Sequence, residues 1–94
     1  MNYENEKKCK KYYETFVSYK HPVKLTGEIS KKTAETRNDT SYYIGHYSNN
    51  NLIKVEKILN HQIEYSYLYS YDSNNKLIEV IVKSKDSAPR RFIY

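Results

Sequence analysis

The residues best suited to chemistry or recognition are tyrosines. Tyr65, Tyr67, Tyr69 and Tyr71 fall at every second position of the stretch 63–71. That spacing puts all four phenols on one face of an extended strand. Tyrosine offers a large contact area with two χ angles to fix and a hydroxyl for hydrogen bonds, which suits a recognition surface. It is also an ordinary strand residue whose ring lysine stems can cover, and such a face can be buried under the N-terminal segment or a second protomer. The remaining reactive groups are scattered. Cys9, His21, His46 and His61 match no zinc-ligand spacing. Cys9 sits among lysines that could lower its pKa, but a nucleophile also needs a histidine base and an orienting group, and neither is evident around it. Glu56 and Glu79 lie among Lys54, Lys57 and Lys83, the setting of a solvated mixed-charge face rather than an acid–base pair. Two glycines cannot make a phosphate-cradling loop. The expectation is a protein that is not an enzyme, with no metal and no cofactor.

The elements that must position the tyrosines are strands. Residues 1–11 alternate charge without an apolar period and read as a tail or frayed helix, leaving 12–94 as a single β-rich domain. Tyr12 to Tyr19 reads as a first strand, interrupted by His21-Pro22, and Val23 to Ile29 as a short second one. Residues 30–38 carry a short-helix signature, with Ser30 as N-cap and Asn38 as a left-handed closing residue. Strands are expected at Ser41–Tyr47, Leu52–Leu59, Gln62–Tyr71, Leu77–Lys83 and Arg90–Tyr94. Asparagine does the turn work at 49–51, 60 and 74–75, and such short connections join only antiparallel neighbours. The fold class is α+β, mostly β: a single antiparallel meander sheet of about five or more strands with one short helix.

Straight registers drawn from the turns at 60–61 and 72–76 place Ile58 opposite Ile63 and Tyr71 opposite Leu77. Continued without interruption, they put Tyr65, Tyr67, Tyr69 and Tyr71 on a face with Lys54, Glu56, Glu79 and Lys83. Ile53, Val55, Leu59, Leu68, Ile78, Val80 and Val82 then form the opposite, aliphatic face. Burying one such side chain contributes roughly 1.5–3 kcal/mol, so the aliphatic face is expected to be the core. Pairing Tyr47 with Leu52 adds Tyr43 and Tyr47 to the outward tyrosine face. The expected contact set is therefore Tyr43, Tyr47, Lys54, Tyr65, Tyr67, Tyr69, Tyr71 and Lys83.

Tyr47-Ser-Asn-Asn-Asn-Leu52-Ile53-Lys54-Val55 is echoed by Tyr71-Asp-Ser-Asn-Asn-Lys-Leu77-Ile78-Glu79-Val80, a repeated hairpin unit. The second copy resembles the tyrosine–aspartate repeats of Rhs-type and teneurin-type shells, with Asn75 in place of their turn glycine. More broadly, the order Val17-Ser18-Tyr19, Pro22-Val23-Lys24-Leu25, Glu28-Ile29, Arg37-Asn38, Tyr42-Tyr43 and Val55-Glu56-Lys57 resembles a family of small uncharacterised bacterial proteins of about this length. That resemblance implies one bacterial domain and brings no activity with it.

Composition narrows the partner. The chain of 94 residues carries a net charge of +5, which favours an acidic partner. Arg37, Arg90 and Arg91 are its only guanidinium groups. Lysine lacks the planar fork used for bidentate recognition, so a protein partner is expected over nucleic acid. A lone cysteine, no signal-like apolar segment and no membrane-length run point to the cytoplasm and away from a membrane. The expected function is a protein-binding domain, of the kind used by bacterial or phage inhibitors such as toxin-immunity or anti-defence proteins. A homodimer through the tyrosine face is a further possibility. The alternative is a single-stranded nucleic-acid binder in which sheet tyrosines stack bases while Lys54, Lys83, Arg90 and Arg91 hold phosphates.

Overall fold

A computed structural model describes residues 7–17, 20–37 and 40–94. Its strands are β1 (Lys8–Val17), β2 (Lys24–Ile29), β3 (Tyr42–Ser48), β4 (Asn51–Leu59), β5 (Gln62–Tyr71), β6 (Leu77–Ser84) and β7 (Ser87–Ile93), with helix α1 (Lys31–Glu35) between β2 and β3. All seven strands form one antiparallel sheet in the order β2-β1-β3-β4-β5-β6-β7. The mostly-β meander with one short helix is therefore as expected, the two strands drawn before residue 30 joining the five drawn after residue 40 in one sheet.

Local chemistry explains the elements. Asn49, Asn50, Asn60, His61 and Asn75 all have positive φ, the backbone conformation that tight hairpin turns demand and that asparagine tolerates best. Asp72 Oδ1 accepts from the backbone N–H of Asn74 and of Lys76 at 2.8 and 3.0 Å, closing the β5–β6 turn. The two turns of the repeated unit lie side by side, with Asn51 Nδ2 donating to Asn75 Oδ1 at 3.1 Å. Ser30 caps α1, its Oγ accepting from the N–H of Thr33 at 3.0 Å. Residues 1–6 of the expected tail, the end of the expected first strand at Ser18 and Tyr19, and the expected helix closure at Asn38 lie outside the described residues. Lys8–Lys11 are corrected from tail to strand: they pair with β3 from Gly45 to Ser48. Pairing substitutes there for the missing apolar period.

The register overturns the expected faces. Ile58 does oppose Ile63, and Tyr71 does oppose Leu77. Beyond each of those pairs, however, the ladder shifts by one residue. Lys57 opposes Tyr65, leaving Glu64 as the extra residue, and Ser70 opposes Glu79, leaving Ile78 as the extra one. A similar shift in β3–β4 leaves Ile53 unopposed, because His46 faces Lys54 while Tyr47 faces Leu52. A bulge of one residue moves every side chain beyond it to the other face. Val55 therefore lies beside Tyr67, Val80 beside Tyr69 and Val82 beside Tyr67, while Lys54, Glu56, Glu79 and Lys83 are carried to the opposite side.

The tyrosine face is thus the core face. Val55 and Val80 are its fully buried side chains, surrounded by Tyr13, Val23, Tyr43 and Tyr69. A smaller cluster on the other face joins Tyr12, Tyr42 and Ile58 to Ala34 of α1, which is completely buried. Gly45 is required by close packing: a Cβ there would lie 2.6 Å from Leu25 Cδ1 and 3.0 Å from Tyr47 Cε1.

Two expectations follow, both read by urea denaturation. Val80→Ala removes two methyl groups from a closed core and should cost about 2 kcal/mol, whereas Ile78→Ala, at the half-open bulge, should cost less than about 1 kcal/mol. Comparable costs would favour the straight register, in which both side chains lie on the core face. Gly45→Ala should destabilise by roughly 1–3 kcal/mol through overpacking.

Candidate functional site

The phenol groups on the core face are committed to one another and to the backbone. Tyr71 Oη donates to the carbonyl of Leu52 at 2.7 Å, and the hydroxyls of Tyr13 and Tyr47 meet at 2.9 Å. Tyr69 is held most firmly. Residues 20–23, just ahead of β2, fold over the face, so that the N–H of Val23 donates to Tyr69 Oη at 3.1 Å and His21 Nδ1 lies 2.8 Å from the same oxygen. In the neutral tautomer that carries its proton on Nε2, Nδ1 accepts from the Tyr69 hydroxyl, and that one hydroxyl then both accepts and donates. The His21 ring packs edge-on to Tyr67, with centroids 4.8 Å apart. Burial lowers the His21 pKa. Burial also raises the pKa of Tyr65, Tyr69, Tyr47 and Tyr71, with contacts to neighbouring phenols adding to the effect in the first three.

Of the expected contact set, Tyr43, Tyr47, Tyr65, Tyr67, Tyr69 and Tyr71 share this face and pack in or against its core. Tyr43 and Tyr69 are buried and the other four half-buried. As the outward layer of the sheet they are corrected: burying them beside Val55 and Val80 removes more apolar surface from water than exposing them would. Lys54 and Lys83 are corrected as well, because the bulges place them on the far side, opposite Leu68 and Ser66 respectively.

That far side gathers the charge. One cross-strand row runs Lys10, His46, Lys54, Leu68, Ile81, Arg91 across six strands. The next row holds Tyr12, Ile44, Glu56, Ser66 and Lys83. Helix α1 covers only the Tyr12–Tyr42–Ile58 corner. Lys10, Lys54, Lys83 and Arg91 stand there against Glu56 and Glu79, so these residues leave two positive charges in excess.

Glu56 organises the middle of this face. It is only 8% exposed. Its Oε1 accepts from His46 Nε2 at 2.6 Å, and its Oε2 lies 3.4 Å from Lys54 Nζ. Burial alone would raise the Glu56 pKa, but the His46 hydrogen bond together with Lys54 outweighs it and holds the carboxyl below its ordinary value. An ionised carboxylate only accepts, so the proton of this bond sits on Nε2 and fixes the ring's orientation. At the far edge Arg91 Nε pairs with Glu79. Sequence reasoning grouped Lys54 and Lys83 with Arg90 and Arg91 but missed Lys10 and His46 as neighbours of Lys54, since only the full set of registers brings those strands into one row. The histidines do not converge: His21 lies on the core face, His46 on the charged face and His61 in the β4–β5 turn.

The model of a family of unknown function, DUF6156, matches residues 4–94. Comparison with curated proteins and with solved structures finds no match. No helix among the described residues is long and apolar enough to cross a membrane.

The two polar locks should be visible in the pH dependence of stability. A His whose folded pKa is lowered binds fewer protons folded than unfolded. The contribution of His21 should therefore be complete above its ordinary value of 6.5 and decline as pH falls below it. Glu56, also lowered, should contribute above its ordinary value of 4.5 and lose that contribution as pH falls through the folded value. Denaturation curves across this range should show the first decline vanish in His21→Gln and the second in Glu56→Gln. Tyr69→Phe, which leaves the Val23 N–H without its acceptor, should cost roughly 1–3 kcal/mol at neutral pH.

Proposed function

The chain belongs to the DUF6156 family of unknown function, and we propose that it is a non-enzymatic binding domain that docks on the acidic surface of a protein partner. The observation that carries this reading is the excess of two positive charges among Lys10, Lys54, Lys83, Arg91, Glu56 and Glu79 on the open sheet face, arranged around the half-buried Leu68 and Ile81. A centre of aliphatic side chains inside a rim of lysine and arginine has the anatomy of a protein contact: desolvation at the middle, steering at the edge. An inhibitor that works by occlusion, of the toxin-immunity or anti-defence kind, needs only such a surface, in a cell interior where Cys9 stays reduced.

Single-stranded nucleic acid is the less favoured partner. Base stacking needs aromatic rings beside the phosphate-binding cations. Here Tyr65, Tyr67, Tyr69 and Tyr71 pack on the core face, while Lys54, Lys83 and Arg91 lie on the other. A homodimer through the tyrosine face loses support for the same reason.

The test is affinity capture from the native host with three forms of the protein: wild type, Lys54→Glu/Lys83→Glu, and Tyr67→Phe as a control on the core face. One protein should be retained by wild type and by Tyr67→Phe, and bound at least about tenfold more weakly by the double reversal, with an association rate that falls as salt rises. Equal retention by the double reversal would move the contact off this face. Salt-steep binding of oligonucleotides, with no protein retained, would replace the partner class.

A further inference from the structure

The apolar surface that this fold leaves open is gathered at one corner. Of the six large hydrophobic side chains exposed among the described residues, Ile78, Phe92, Ile93 and Tyr94 lie together there, the other two being Val17 and Ile63. Val80 opposes Phe92, Glu79 opposes Ile93, and the N–H of Tyr94 donates to the carbonyl of Ile78 at 2.9 Å. β7 is the last strand of the sheet, pairs with β6 alone among the described strands, and is exposed along its whole length. Its first half is a poor template for a further strand, because an extra residue lies between Ser87 and Arg90 and Pro89 has no N–H. The half from Arg90 to Tyr94 has neither obstacle. At the opposite edge of the sheet, β2 is interrupted by Gly27, whose positive φ departs from the extended conformation.

The backbone decides which groups this edge has on offer. Because Tyr94 turns its N–H to β6, so do Phe92 and Arg90, while Arg91 and Ile93 turn their N–H and C=O outward. Two copies meeting antiparallel here have two short symmetric registers. Centred on Arg91, the pairing sets two guanidiniums opposite each other and Ile93 opposite Pro89, which has no hydrogen to donate. Centred on Phe92, it sets Arg91 opposite Ile93 of the other copy twice over, and each such pair exchanges both N–H···O bonds. Phe92 then meets its own counterpart on the axis, and Tyr94 faces Arg90 of the other copy, a cation beside a phenol ring. Arg91 is already neutralised by Glu79, so the second register sets no two bare cations opposite each other.

We propose that the chain forms a symmetric dimer through β7, in the register centred on Phe92, so that two copies make one continuous antiparallel sheet. The twofold axis stands perpendicular to the sheet, and the charged faces of both copies therefore point the same way. The pairing uses the open half of both edges and closes at two copies. The contact is smaller than the roughly 1,200 Å² of a permanent interface, so association is reversible.

Sedimentation equilibrium of the 94-residue chain tests this. The average mass should rise from that of one chain toward that of two between about 10 μM and about 1 mM. Each copy carries a net charge of +5, and salt screens the repulsion between them, so the dimer should tighten as salt rises. Docking on an acidic protein weakens with salt, so the two readings succeed or fail separately. Ile93→Pro removes an outward N–H that β6 does not use, and Ile93→Lys sets a second cation opposite Arg91. Each should raise the dissociation constant at least about tenfold, the size of one or two lost strand contacts. Ile93 is 65% exposed, so both variants should keep the wild-type urea midpoint. Ile63→Lys, which changes an exposed isoleucine at the start of β5, should leave the dimer as it is. A mass of one chain at every concentration up to about 1 mM overturns the proposal. A dimer that both Ile93 variants leave unchanged, or that Ile63→Lys weakens as much, overturns it too.

Discussion

Burial of Val55 and Val80 beneath the tyrosine rows is the constraint on which the rest of this sheet depends. Side chains alternate along a strand, so fixing one residue on the core side fixes the side of every neighbour up to the next bulge. Val55 on the core side sends Lys54 and Glu56 outward, and Val80 on the core side sends Glu79 and Ile81 outward. The alternative, with straight ladders, sets Lys54, Glu56 and Glu79 among the phenols. A carboxylate or ammonium inside that cluster would lose its hydration without a matching partner, a cost of several kcal/mol per charge. One unpaired residue per hairpin is a small perturbation by comparison, since the unpaired residues Ile53, Glu64 and Ile78 retain access to solvent.

A core built largely of tyrosine has to satisfy its hydroxyls, and this one does so by three routes. Some pair with one another, as Tyr13 with Tyr47; one reaches a strand carbonyl, Tyr71 to Leu52; and one recruits a loop, Tyr69 to His21 and Val23. Among the described residues no buried side-chain nitrogen or oxygen lacks a partner. The third route also explains how a single sheet covers part of its core face without a second layer. The segment 20–23 crosses from β1 to β5, and the hydrogen bonds to Tyr69 hold it there while Val23 fills the space below. The rings thus provide the apolar mass that a chain with few aliphatic residues otherwise lacks, and the hydroxyls at their tips make the cover specific.

The strands and turns were largely legible because their signals are local. Alternation marked β5 from Gln62 to Tyr71, asparagines marked the turns, and Ser30 marked the start of α1. The pairing of Lys8–Lys11 was not, since it comes from β3 rather than from any pattern in those residues. The faces were misread for a sharper reason. Both turn pairs that anchored the paper registers occur in the fold, and the error entered one residue beyond each. No residue type announces a bulge. The clue was energetic and lay in β4 itself: Val55 stands between Lys54 and Glu56, so whichever face holds the valine excludes two charges. With straight ladders that rule still leaves the tyrosines on the other face; only the bulges bring them onto the side of Val55 and Val80.

The consequence for function is a division of labour between the two faces. Because Tyr43, Tyr47 and the four tyrosines of β5 are spent on the core side and Tyr12 and Tyr42 lie under α1, the docking proposed for the other side draws on charge and on the few aliphatic groups left there. Lysine ammoniums at the ends of long stems attract at a distance but define little geometry on their own. Glu56 compensates by fixing two of the groups around it, His46 through a hydrogen bond and Lys54 through an ion pair, on a strand whose bulge also sets Ile53. In the proposed docking, steering by the outer cations and selection by this ordered centre act in sequence: salt weakens the first, while the second depends on a carboxylate that its two partners keep ionised against the effect of burial. A surface organised this way discriminates by where negative charge sits beside an apolar group, not by negative charge alone.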